Sequence, residues 1–330
     1  MDWAAVFGNA LRAFVGVEAI VFALAAIGLN LHFGYTGLLN FGQSGFMAVG
    51  AYGIAITVSQ LGLSLWSGIA VGVLAAVGLA LLLGVPTLRL RADYLAIVTI
   101  AAAEIIRLVF RSASFTDVTG GADGIQAFAG EFYRLNPLPP GIYGAGPVVF
   151  SERITWVLLV GWILVGLLTL TMLLLMHSPW GRVVKSIRED EDAARSLGKN
   201  VYAYKMQSLI LGGVFGGIGG MILAIATQSV TPDTYSPQVT FFVYTVLILG
   251  GAGRIGAPIL GSMIFWLLLS IVDNVLRQAV GSGIIPSQLL SNEEVGISRF
   301  ALVGLSLMLL MAFRPQGIFG DRKELALDAR

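Results

Sequence analysis

"SPWGRVVKSIREDEDAARSLGKNVYAYKM", residues 178–206, holds ten of the 39 Asp, Glu, Lys and Arg residues in a chain of 330. Apolar runs flank it on both sides, at 154–176 and 207–228. A helix needs about 20 apolar residues to cross the hydrocarbon core of a bilayer, and each run meets that length. The stretch therefore reads as a charged loop between two membrane crossings, and the fold class follows from it.

Further apolar runs lie near 13–31, 38–59, 65–85, 94–110, 256–276 and 297–313, with a shorter one at 238–251. The short run is a tilted span extended into its flanks or a broken helix, so the count is eight or nine crossings. The chain is 56% hydrophobic and 12% charged, with 42 glycines and a mean hydropathy of +0.84. This composition excludes a soluble globular protein and describes an all-α, polytopic helical membrane protein, a single transmembrane domain over 1–330. Ala23-Leu24-Ala25 imitates a signal-peptidase site, but Glu18 interrupts the run and Arg12 is the only basic residue before it. A retained first helix is expected.

Several chemistries are excluded. Without cysteine there is no disulfide, thiolate nucleophile or Cys metal site. His32 and His177 stand apart, with no metal-ligand spacing, so no metal site is expected. Gly198-Lys199 is followed by Asn200 and lacks the preceding glycine of a phosphate-binding loop. No zinc-protease or serine-hydrolase motif occurs, so the chain is expected to be no enzyme and to bind no cofactor. If transport runs uphill, another subunit supplies the energy.

Lys and Arg in short loops set orientation. Residues 178–206 hold Arg182, Lys185, Arg188, Arg195, Lys199 and Lys205, and the tail 314–330 adds Arg314, Arg322, Lys323 and Arg330. Segment 278–298 has Glu293 and Glu294 and no basic residue, and 111–153 balances Arg111, Arg134 and Arg153 against four acids. The first pair of segments is expected in the cytoplasm and the second pair outside. Nine spans leave the N-terminus outside, and an even number puts it inside. The outer segment 111–153 is Pro- and Gly-rich and long, and loops of that length are functional or partly disordered.

Within the second span, Gly37, Gly42, Gly45, Gly50 and Gly53 interleave with Asn40, Gln43 and Ser44. Polar side chains in a membrane face the bundle interior or a water-filled path. The span is thus a broken, pathway-lining helix, or Asn40 and Gln43 simply bond a neighbouring helix. The glycine-rich segments 37–56 and 211–228 hint at an internal repeat, as transporters often have. Glu104 and Arg107 at i, i+3, and Asp273 and Arg277 at i, i+4, read as structural ion pairs or as substrate- and proton-handling groups.

The charged loop itself predicts a short helix over 182–197, ended by Gly198. Val184, Ile187, Ala194 and Leu197 share one face, and Glu191 pairs with Arg195 at i, i+4. Its four consecutive acids, Glu189, Asp190, Glu191 and Asp192, contribute little to orientation. They point to a soluble partner, against the simpler reading of a solvated, orientation-setting cluster.

"GRVVKSIREDEDAARSLGKNVYAYK" (181–205) resembles the cytoplasmic signature of permeases in branched-chain amino-acid ABC importers. "GYTGLLNFGQSGFMAVGAY" (34–52), "YLAIVTIAAAEIIRLV" (94–109), "TGGADGI" (119–125), "LGGAGRIGAPILG" (249–261) and "FRPQGIFG" (313–320) agree with it in order. Ser186 stands where the family commonly has Ala. The length and "TGGADGI" resemble the larger, M-type subunit, with Thr119, Gly120, Gly121 and Gly124 as the periplasmic motif. The resemblance implies an inner-membrane permease half that pairs with a homologous permease, two ATPase subunits that hydrolyse ATP beneath it, and a periplasmic binding protein above. It implies no nucleic-acid partner. It also implies a coupling helix on the ATPase made by Gly181, Arg182, Ile187, Arg188, Glu189, Asp190, Glu191, Ala194, Leu197 and Gly198. The expected pathway residues are Gly37, Asn40, Gln43, Ser44 and Gly45. Branched-chain or other apolar amino acids are the expected cargo. Urea and short-chain amides, carried by close relatives of the family, are the alternative, and an ion-coupled secondary transporter is the more remote one.

Overall fold

The computed structural model describes residues 2–89 and 92–282, and scattered residues between 295 and 320. The run 297–313, the outer segment beyond Ser282 and the tail 314–330 lie largely outside the described residues.

The first span begins earlier than the apolar run. Asp2 accepts from the Ala5 amide at 3.1 Å and starts α1, Trp3–Val15, which an extended Gly16 joins to α2, Val17–Leu29. A seven-residue π-helix, Asn30–Thr36, comes next. The chain then leaves helical geometry at 37–42 and resumes as α3, Gln43–Ser59. After it come α4, Leu65–Thr87, and α5, Ala92–Arg111. Beyond the outer segment are α8, Glu152–His177; α9, Pro179–Glu189; α10, Glu191–Ser196; and α11, Val201–Thr227. The last two are α12, Pro237–Gly250, and α13, Ala257–Gly281. Every apolar run in the described residues is thus mainly helix, with 38–42 the non-helical start of the second, and five stretches are long and apolar enough to cross a membrane. The 14-residue α12 rises only about 21 Å, short of the ~30 Å core, so the short run is a helix of about two-thirds the spanning length.

Segment 111–153 is structured. It carries α6, Thr116–Thr119; β1, Ile125–Gln126; α7, Gly130–Arg134; and a hairpin of β2, Ile142–Ala145, with β3, Val148–Ser151. Antiparallel pairing of β1 with β4, Ser229–Val230, ties it to the far end of α11. Arg12 Nε donates to the Pro147 carbonyl at 2.7 Å, and the Asp2 amide donates to Gln278 Oε1 at 2.7 Å. The N-terminus, segment 111–153 and the end of α13 therefore share one end of the molecule. The 26 residues of α8 put α9 and α10 about 39 Å away at the other.

At the centre, α11 packs on α2, α3 and α4. The two glycine-rich segments lie against each other, and a Cβ on Gly50 would collide with the Gly217 backbone. In lipid, helices gain no hydrophobic drive towards one another, and close backbone approach through small residues holds them instead. The Leu-rich outer rows of α4 and α8, such as Leu74, Leu82, Leu167 and Leu174, stay exposed, as a lipid-facing surface requires.

Candidate functional site

The break at 30–42 is held by side chains. Thr36 Oγ1 donates to the Leu31 carbonyl at 2.7 Å and lies 2.6 Å from Ser208 Oγ on α11. Gly37 adopts φ 74, a left-handed turn that releases the chain from helix, and Leu38 N still reaches the His32 carbonyl at 2.8 Å. Asn40 organises the entry to α3. Its amide nitrogen donates to Gln43 Oε1 and contacts His32 Nδ1, both at 3.1 Å, and its oxygen accepts from Gly42 N at 2.9 Å. Gln43 Nε2 donates to the carbonyls of Ala25 and Gly212 at 3.2 Å each. His32 Nε2 lies 3.2 Å from the Leu209 carbonyl, which assigns the proton to Nε2 and leaves Nδ1 to accept from Asn40.

Two threonines complete the start of α3. Phe41 N donates to Thr99 Oγ1 of α5 at 3.0 Å, and Ser44 N donates to Thr240 Oγ1 of α12 at 2.9 Å. The half-helix therefore begins with amides satisfied by hydroxyls from two other helices. Neither threonine stands out in the sequence, and His32, isolated there, belongs to the network.

Of the expected pathway residues, the structure brings all five to this break but encloses four. Asn40, Gln43, Ser44 and Gly45 are buried, and only Gly37 is exposed. Asn40 and Gln43 bond neighbouring backbone and side chains, as the packing alternative requires. Ser44 Oγ is buried with no partner. Single cysteines placed at 37 and 44 in the membrane-embedded protein should therefore react with a water-soluble maleimide at 37 and stay protected at 44. Labelling at both would establish an open path along this helix.

In the charged loop the single helix expected over 182–197 is two helices. Asp190 is extended, φ −155 and ψ 105, and its side chain accepts from Ala193 N at 2.9 Å to start α10. The kink has a packing cause: Ile187 and Ala194 are both buried with Val201 in one small cluster. Seven residues along a straight helix they would sit about 10 Å apart. Gly198, at φ 76, ends α10 as expected. The shared apolar face is thereby divided, since Val184, Ile187 and Ala194 are covered by the chain itself and Leu197 is 79% exposed. Gly181 is buried, while Arg182, Arg188, Glu189 and Asp190 are exposed and Glu191 is half-buried. Glu191 holds Arg195 at 2.8 Å, the expected pair, and also Lys205 on α11.

The loop is fastened directly to the break. Arg188 Nη1 donates to the Gly34 carbonyl at 2.5 Å, and Lys185 Nζ lies 5.7 Å from the Tyr35 ring centre. A cavity of about 250 Å³ lies beside this contact, lined by Gly37, Ile187, Arg188, Glu191 and Lys205 among others.

At the opposite end, Arg107 pairs with Glu104 at 2.6 Å and reaches across to Asp233 at 2.5 Å, tying α5 to the segment before α12. Arg277 pairs with Asp273 at 3.0 Å, so both pairs expected on α5 and α13 form. Thr119 Oγ1 donates to the carbonyls of Phe110 and Phe115 at 2.8 and 2.9 Å. Gly120, Gly121 and Gly124 all have positive φ, 74, 58 and 71, so the motif at 119–124 is a compact turn that delivers the chain to β1.

Residues 12–312 match the family model for the branched-chain amino acid transport system permease component. The chain is 32% identical to the high-affinity branched-chain amino acid transport system permease protein LivM of Escherichia coli (strain K12), over 92% of this chain and 69% of that protein. It is 25% identical to a probable branched-chain amino acid transport permease protein LivM of Methanocaldococcus jannaschii, over 92% and 91%. It is also 30% identical to the nucleoside ABC transporter permease protein NupC of Lactococcus lactis subsp. cremoris, over 85% and 86%. With a family match across nearly its whole length, a helical bundle of membrane-spanning length and a charged loop bonded to a broken span, this chain belongs to the branched-chain amino acid transport system permease family.

Proposed function

We propose that the chain is one permease half of an ATP-driven, binding-protein-dependent importer of branched-chain or other apolar amino acids. It works in the bacterial cytoplasmic membrane, paired with a homologous permease. Two partner ATPases hydrolyse the ATP on the side of α9, α10 and the C-terminus, and this chain binds no cofactor of its own. The observation that carries the reading is the joint between α9 and the break, because a partner that moves α9 pulls on Gly34 through Arg188. An ion-coupled mechanism is disfavoured by the absence of any acid among the buried polar side chains of the described residues. Nucleosides are a second cargo class, favoured by the nucleoside permease relative, and urea or short-chain amides a third.

Because Ala194 is buried, enlarging it would disturb the chain's own packing, and the contact is better tested at exposed positions. Glu189→Lys and Leu197→Asp together should remove ATPase subunits from the purified complex and abolish amino-acid uptake, with permease abundance in the membrane unchanged. A charge buried at an interface and left unpaired costs several kcal/mol, against about 0–1 for an exposed pair. Normal uptake and co-purification would reduce the loop to a solvated charge cluster.

A further inference from the structure

The cavity beside the joint has two unlike walls. Leu38 of the break, Leu88 after α4, Leu95 of α5 and Ile187 of α9 form an apolar wall, and all four are buried. Arg188, Glu191 and Lys205 form the other. Thr36 and Thr87 also line it, but their hydroxyls donate to the Leu31 and Leu83 carbonyls, so polar recognition falls to the charged groups. The Lys205 side chain is only 15% exposed, and its pair with Glu191 occupies one of three N–H donors. Glu191 also accepts from Arg195 at 2.8 Å, and a carboxylate has room for about four such bonds. Two cations and one acid thus line the cavity, and Arg195 neutralises that acid further from outside it. Glu189, Asp190 and Asp192 lie outside the lining, and Asp192 is paired with Arg195 at 3.0 Å. The excess charge at this wall is positive, and it faces a hydrocarbon surface. A volume of about 250 Å³ falls below the ~300–1,000 Å³ of sites for drug-sized ligands, so the occupant is small.

We propose that this cavity binds a free α-amino acid with an apolar side chain, arriving from the α9 side, and that its occupancy restrains transport. Lys205 and Arg188 take the carboxylate, Glu191 takes the ammonium, and the leucine wall takes the side chain. A charged side chain is rejected by that wall, where it would lie desolvated and unpaired. The proposal rests on the importer reading, which delivers an apolar amino acid to this side. The occupant touches α9, α10, α11, the end of α4, the start of α5 and the break at once. Movement of α9 away from the break has to part these contacts, so the ligand favours the present arrangement and shifts the population towards it. Cargo accumulated on the α9 side thereby slows its own import.

Equilibrium binding of tritiated L-leucine to the purified complete transporter, without binding protein or nucleotide, is the first readout. The second is ATP hydrolysis by vesicles whose ATPases face outwards and whose lumen holds leucine-loaded binding protein, as external L-leucine is raised. The parent should retain leucine, and its hydrolysis should fall. Lys205→Met keeps the aliphatic stem and removes the ammonium, and should raise both half-maximal concentrations about tenfold, as loss of a charge-assisted hydrogen bond does. Leu88→Phe narrows the apolar side and should raise both as well. The 2-oxo acid analogue of leucine, which lacks the ammonium, should compete more weakly, and leucinol, which lacks the carboxylate, more weakly still. Membrane abundance and ATPase co-purification identify a variant that fails to assemble; the other variant then decides, and the analogues decide on the parent alone. No retention by the parent, equal retention by all three proteins, or inorganic phosphate competing as well as leucine overturns the site. Loss of ATPase subunits from both variants at normal abundance assigns the cavity to the partner contact and likewise overturns it. Retention with no fall in hydrolysis overturns the restraint. A parent whose hydrolysis ignores the loaded binding protein overturns the importer reading instead, and leucine retention still judges the cavity.

Discussion

Replacing Asn40 by leucine should leave almost no folded permease in the membrane. The side chain serves three partners at once, so its loss strands Gln43 Oε1, His32 Nδ1 and the Gly42 amide in a buried site. Each unsatisfied buried group costs roughly 1–3 kcal/mol, and the native margin of a domain is only about 5–15 kcal/mol. Permease abundance in purified membranes and thermal aggregation in detergent measure the effect. Wild-type abundance would mean that water enters the break and replaces Asn40. Asn40→Asp should also be damaging, because a carboxylate has no N–H for Gln43 and pairs with Nδ1 only if His32 takes up a proton.

The second large effect is expected at the joint. Arg188→Met keeps the aliphatic stem and removes the donor to Gly34. Uptake should fall about tenfold, within the usual range of coupling between distant sites, while the ATPases remain bound and continue to hydrolyse ATP. Uptake in vesicles against ATP consumed gives the ratio. If ATPase is lost from the complex instead, Arg188 belongs to the partner contact, and the link to Gly34 has no mechanical role.

Much of this architecture is legible in the chain. Leu-rich runs such as 154–176 have no alternative to helix in a membrane, whereas the glycine spacing after Gly37 leaves a broken helix and simple close packing as alternatives, and the structure combines a break with close packing. The Glu191–Arg195 pair and the Gly198 stop follow from local rules. The kink at Asp190 does not, because Glu, Asp, Ala and Arg around it all tolerate helix. It is decided by a tertiary demand, the burial of Ile187 and Ala194 in one cluster with Val201. The first helix is hidden for a different reason: Asn9 and Arg12 dilute its apolar pattern, although they sit at the end where polar groups reach water. Thr99 and Thr240 carry no motif at all, since a hydroxyl capping another helix leaves no trace in spacing. His32 escapes a sequence reading likewise, its partners lying 8 and 177 residues away.

Those separations bear on how the protein is made. The break lies within the first 42 residues, yet His32 needs Leu209, Gln43 needs Gly212, Ser44 needs Thr240, and Asn30 needs Arg254. The gap to Leu209 is 177 residues, which a ribosome adding roughly 5–20 residues per second takes about 10–35 s to close. For that interval the nascent chain carries a polar, unwound segment whose closing helix has not yet been synthesised, in a solvent that satisfies no backbone group. The break of the first half therefore stays unfilled until α11 and α12 arrive, and a chain that stops before residue 209 lacks the partners that close it.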